Sequence, residues 1–206
     1  MDYTSGTSHL LFFINTLIKF FFLLTPFFAL TMFITMTEGM GNHSRKKLSV
    51  KIILSVYITC IILFLFGGEI FSIFGITIDA FRIGAGALLF LTAVTLVQSK
   101  QAQSSFSFED DIAVVPLAIP VIVGPATIGT IIVMGVDINT FRLKAIALSA
   151  LFMAIFFVGL ILYLSSYMEQ ILKRKGIIII SKITGLILSA LAAQLVFTGI
   201  KNFMKN

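Results

Sequence analysis

The chain is organised as six long apolar blocks, at about 10–37, 50–71, 80–97, 112–134, 145–167 and 177–200, joined by short connections that hold most of the charge. An α-helix needs about 20 apolar residues to cross a bilayer, so the pattern predicts an all-α membrane protein with six transmembrane helices. The first block is longer than one straight span requires, and it carries Thr25-Pro26 inside it. The fourth carries Gly124-Pro125, preceded by Pro116 and Pro120. A proline within a helix removes one backbone hydrogen bond and displaces the carbonyl four residues earlier, here those of Phe22 and Val121. Lipid cannot satisfy a freed backbone group, so such breaks persist where they are packed in protein or line a polar cavity. Helices 1 and 4 are therefore expected to be broken.

The two breaks are related by an internal repeat. Pro26 and Pro125 lie 99 positions apart, and Gly75-Ile76 with Gly176-Ile177, and Arg82-Ile83 with Lys182-Ile183, keep nearly the same step. Leu88, Leu91 and Ala93 fall on Leu188, Leu191 and Ala193. A repeated unit with three spans must enter the membrane in opposite directions, which predicts two inverted three-helix repeats of the kind found in secondary transporters. The expected organisation is a single integral membrane domain over 1–206, with repeat 1 at about 10–97, a polar cytoplasmic loop at about 98–111 and repeat 2 at about 112–200.

Composition strengthens the membrane reading. Hydrophobic residues make up 58% of the chain and charged ones 12%, against about a quarter charged in soluble domains. The net charge of +6 does not point to nucleic acid, because Lys and Arg gather at block ends rather than along an amphipathic face. Connections after the first, third and fifth blocks hold Arg45, Lys46, Lys47, Lys51, Lys100, Lys173, Arg174, Lys175 and Lys182. The other side holds Arg82, Arg142, Lys144, Lys201 and Lys205. The basic excess marks the cytoplasmic face and puts both termini outside the cytoplasm. The first block is too long for a signal-peptide core and is expected to be retained.

Candidate chemistry concentrates at the breaks. A half-helix start after proline exposes unpaired N–H groups and the positive end of a dipole, which favour a carboxylate. Thr25 is placed to cap the first start, Gly124 allows close backbone approach at the second, and Thr127 adds a hydroxyl on its first turn. A small zwitterion could set its carboxylate at one start and its ammonium near carbonyls freed by the prolines. Packing kinks are the alternative. Lys19, about 14 Å along the first span and one turn from Asn15, is either functional or snorkels outward. Gln194 in the sixth span must bond another helix or face a cavity. Glu38, Glu69, Asp79 and Arg82 fall near span ends. Gly185, Ser189 and Ala193, and Gly84 to Ala87, read as packing seams. Cys60 stands alone, and neither a catalytic set, a metal site nor a cofactor motif is expected.

Three segments carry a family resemblance: Gly75 to Gly86 (GITIDAFRIGAG) followed by Leu88-Leu89-Phe90, Ile112 to Pro125 (IAVVPLAIPVIVGP), and Gly185 to Gly199 with Gln194. On these the chain resembles, over almost its whole length, the MarC family of bacterial inner-membrane proteins, which includes small neutral amino acid transporters or exporters. The family's first break usually reads Asn-Pro or Asp-Pro with a glycine two residues on, where this chain has Thr25-Pro26-Phe27-Phe28. Its second often reads Gly-Pro-Gly, where Ala126 stands here.

Together these readings give the expectation of a multi-pass inner-membrane secondary transporter that exports a small neutral amino acid by alternating access. Thr25, Pro26, Gly124, Pro125, Thr127 and Gln194 are the expected substrate-binding residues. No cofactor, metal or nucleic acid is expected, the partners are the solute and the bilayer, and a homo-oligomer is compatible. The alternative is a membrane structural or assembly factor without transport activity.

Overall fold

The computed structural model describes residues 6–98, 122–138 and 140–204, and every element among them is helical. In chain order these are α1 (Gly6–Leu23), α2 (Pro26–Met36), α3 (Asn42–Phe74), α4 (Ile78–Gln98), α5 (Pro125–Asp137), α6 (Phe141–Tyr163) and α7 (Ser165–Phe203). Five stretches are long and apolar enough to cross a membrane: His9–Met36, Asn42–Glu69, Ile78–Gln98, Phe141–Tyr163 and Lys175–Phe203. They match five of the six apolar blocks. The fourth block is described only from Ile122, where the 13-residue α5 begins just beyond; Pro116, Pro120 and the 98–111 loop lie outside the described residues, apart from Gln98 at the end of α4.

Two boundaries differ from the sequence reading. The basic stretch from Met168 to Gly176 is not a connection but the opening turns of α7, which starts two residues after α6 ends. Gln, Lys and Arg are good helix formers, and with no proline there nothing stops the helix. Arg45, Lys46 and Lys47 are likewise helical, in the first turns of α3.

The expected break in the first block is present. Thr25 has φ 46 and ψ 56, in the left-handed region, and it joins α1 to α2 with Pro26 in the first turn. The carbonyl of Phe22, expected to be free, is not: it accepts the Thr25 N–H at 3.0 Å. Tightening the last turn of α1 toward a three-residue closure provides that donor. Thr25 makes no side-chain capping bond either, because its left-handed backbone replaces the extended conformation from which an N-cap side chain reaches the first amides. Gly124 caps α5 from an extended backbone, φ −73 and ψ 171, so its conformation does not itself require glycine.

Helix packing follows the small residues. The most extensive interface joins α4 to α7. A Cβ on Gly86 would lie 3.0 Å from the Ala192 carbonyl oxygen, and one on Gly185 would lie 2.9 Å from that of Ala93. The seam on α7 runs through Gly185, Leu188 and Ala192, all buried, whereas Ala193 is exposed. A strict four-residue step drifts about 40° per repeat on a helix of 3.6 residues per turn, which carries Ala193 off the face. Gly84 and Ala87 also point away from the seam and are exposed. The short α5 packs between α3 and α4, α2 packs on α7, and α1 on α6. A Cβ on Gly135 would run into the backbone carbonyl of Phe64, so only glycine lets α5 seat against α3 at that depth.

Polar contacts collect at two ends of this bundle. At one end Arg45 reaches Glu169 and Asn42 reaches Ser166, tying the start of α3 to the start of α7. At the other, Arg82 binds Asp79 and Asp137, and Asn202 donates to Asp79, tying α4, α5 and the end of α7.

Candidate functional site

The break at Thr25-Pro26 and the start of α5 at Pro125 meet inside the protein. The hydroxyl of Thr127, on the first turn of α5, donates to the carbonyl of Leu23 at the end of α1, 3.2 Å away and buried. The first turns around it are built alike: Ala29 N–H bonds Thr25 O and Ile128 N–H bonds Gly124 O, both at 2.9 Å and both pairs 99 positions apart across the chain. Thr25, Pro26 and Thr127 are buried in this junction, and Gly124 is half-buried beside it. The backbone of Pro125 opens α5 there.

A cavity of about 220 Å³ opens beside the junction, between α1, α4, α5 and α7. Lys19 and Leu23 of α1, Arg82 and Leu89 of α4, Thr130, Val133, Met134 and Asp137 of α5, and Leu191, Gln194, Leu195 and Thr198 of α7 line it. Of the six site residues expected from the sequence, Gln194 is the one in its wall. It makes no interhelical bond among the described residues and presents its amide to the open space. Lys19 lies there as well, one turn from Leu23, while Asn15 does not. The volume is below the roughly 300–1,000 Å³ typical of sites for drug-sized ligands, which fits a small solute.

At the opposite end of the bundle lies a pocket of about 60 Å³ lined by Thr31, Ile34, Thr35, Glu38, Arg45, Glu169 and Ile177. It has room for about two waters at some 30 Å³ each. Four of its wall residues have counterparts in the wall of the wide cavity: Thr31 and Thr130, Ile34 and Val133, Thr35 and Met134, Glu38 and Asp137, every pair 99 positions apart. That is the spacing of Pro26 and Pro125. In the sequence alone Glu38 stands out only as an acid near a span end, and Asp137 and both threonines carry no local signal. Extending the proline spacing twelve residues onward would have paired all of them.

An ion pair flanks each space. Arg45 Nη1 lies 3.3 Å from Glu169 Oε2 and its Nε donates to the Thr37 carbonyl at 3.2 Å, across the narrow pocket. Arg82 Nη1 is 2.6 Å from Asp79 Oδ1 and Nη2 binds Asp137 at the rim of the wide cavity. Two further grooves, each of about 310 Å³, run between α3 and α6 and between α1 and α6. Their walls are almost wholly apolar, so acyl chains suit them. Among the described residues, no three His, Cys, Asp or Glu side chains are grouped to hold a metal ion. Glu69 is exposed and lines none of these spaces.

Residues 10–204 match the MarC family of integral membrane proteins. This chain belongs to the MarC family. A UPF0056 membrane protein of Aquifex aeolicus is 32% identical over 204 residues, covering 94% of each chain. The UPF0056 membrane protein YhcE of Escherichia coli is 33% identical over 196 residues, covering 89% of each. One from Methanocaldococcus jannaschii is 31% identical over 197 residues, covering 92% of this chain and 96% of its own. No solved structure matches the chain. As a MarC-family protein it is an integral membrane protein with several spanning helices, and the similarity runs through both breaks and both polar pockets.

Proposed function

We propose that this protein is a secondary transporter that moves a small neutral amino acid, such as alanine or glycine, outward across the bacterial inner membrane. The single observation that carries the reading is the pair of polar pockets at opposite ends, walled by residues 99 positions apart. In an inverted repeat, equivalent residues of the two halves line the two entrances of one path. The wide cavity is then the open entrance and the narrow pocket the closed one. Their exchange is alternating access.

The packing supports this assignment. Exchanging repeat halves turns the contact of α4 with α5 into that of α7 with α2, and both pairs are in contact. The most extensive interface, α4 with α7, pairs the third span of one half with the third of the other. Five long apolar helices and the short α5 are compatible with six spans. The basic excess assigns the end bearing Arg45 to the cytoplasm, so the wide cavity and both termini face outward.

In this account Thr25, Pro26, Gly124, Pro125 and Thr127 form the junction on which the halves rock, and Gln194 contacts the solute. The Thr127 bond to Leu23 couples the breaks, so a solute above them meets a floor built by both halves. Counterflow of labelled amino acids into liposomes containing the purified protein tests the reading. Accumulation of alanine or glycine above protein-free liposomes is expected. No flux across a broad amino acid panel, with a stable protein partner co-purifying, would put a structural or assembly role in its place.

A further inference from the structure

Two cations line the wide cavity, and only one has its charge answered. Arg82 directs one guanidinium nitrogen to Asp79 and the other to Asp137. Asp79 also accepts from the Asn202 amide at 3.3 Å. That cluster holds two carboxylates on one guanidinium and keeps surplus negative charge. Lys19, on α1, forms no ion pair among the described residues, and neither does the Gln194 amide form a hydrogen bond there.

An ammonium on a spanning helix, open to the cavity as Lys19 is, marks a functional position when no anion accompanies it. No acid of the described chain does so for Lys19. We propose that Lys19 is the counter-ion for the carboxylate of the solute bound in the wide cavity, with the Gln194 amide as a second donor. The solute's ammonium then faces the surplus negative charge of Asp79, Arg82 and Asp137. A zwitterion satisfies both walls, whereas an amine without a carboxylate leaves Lys19 unanswered. The inference rests on the transport reading and names the group that recognises the substrate.

The test uses the full-length protein, with alanine and alaninamide as probes, in two assays. In liposome counterflow, wild type should prefer alanine over alaninamide as competitor by about tenfold or more, the scale of one hydrogen-bonded charge. Lys19→Gln should raise the KM for alanine by a similar factor and erase the preference, while Lys19→Arg retains it. In detergent, alanine should raise the melting temperature of wild type but not of Lys19→Gln, and alaninamide should raise neither. Flux by wild type with KM and preference unchanged in Lys19→Gln would overturn the site and leave transport standing; Lys19 would then be snorkelling. Stabilisation of wild type alone by alanine, without flux, would uphold the site and remove transport. Alanine that neither moves nor stabilises wild type would overturn both.

Discussion

Glu169→Gln removes the charge that holds Arg45 across the narrow pocket, and the structure sets how much that should matter. The pair is 3.3 Å long, with the Arg45 side chain 14% and the Glu169 side chain 45% exposed. An ion pair so open to water contributes about 0.2–1 kcal/mol. Arg45 keeps its bond to the Thr37 carbonyl in the variant, so the guanidinium stays anchored and only the cross-pocket attraction is lost. If that attraction favours the state with the narrow pocket shut, the equilibrium between the two states should move about 1.4- to 5-fold. The assay is alkylation of single cysteines in a background where buried Cys60 is replaced by alanine. Thr31→Cys reports on the narrow pocket and Thr198→Cys on the wide cavity. Glu169→Gln should raise the rate at position 31 by that factor and lower the rate at 198. Rates that rise together would mean local loosening, and an unchanged rate at 31 would refute a gating role for the pair.

Five further substitutions, two of them controls, address the junction and the packing. Gly135→Ala should cost about 1–3 kcal/mol, read as a lower melting temperature in detergent, because the new methyl meets the rigid backbone at Phe64; Gly84→Ala, where a Cβ meets nothing within 4 Å, should not. Thr25→Asn should stabilise by about 1 kcal/mol, since asparagine tolerates the left-handed backbone better than a β-branched residue. Unchanged thermal unfolding would show that Thr25 is unstrained. Thr127→Val should cost about 1–3 kcal/mol by stranding the Leu23 carbonyl, with Thr127→Ser recovering most of the loss in the same thermal assay.

The break in the first block was legible because proline imposes its effect through covalent geometry alone, and Thr25-Pro26 interrupts the helix where the sequence places it. The fate of the freed carbonyls was not, since it depends on what lies opposite. Phe22 is answered by its own turn and the adjoining Leu23 carbonyl by Thr127, 104 residues away, while Val121 lies outside the described residues. Gln194 could be read as facing a helix or a cavity from its cost in an apolar span, but choosing between them needed the positions of α1 and α5. The small-residue seam was found and misphased, because spacing by four approximates a 3.6 period over one turn but not over two. Arg82 and Asp137 are 55 residues apart, and pairwise contact at that separation leaves no local pattern. Asp137 does have a counterpart in the narrow pocket, Glu38, on the 99-residue step that the prolines mark and the threonines continue.

The most direct measurement is flux with the wide cavity pinned. Cysteines at Met134 and Thr198, both in its wall on different helices, joined by a short bifunctional thiol reagent in the Cys60→Ala background, would fix α5 against α7. The account predicts that cross-linking stops alanine counterflow in liposomes and that cleaving the linker restores it, with each single-cysteine variant unaffected by the reagent. Full flux through the cross-linked protein would contradict alternating access between these two pockets.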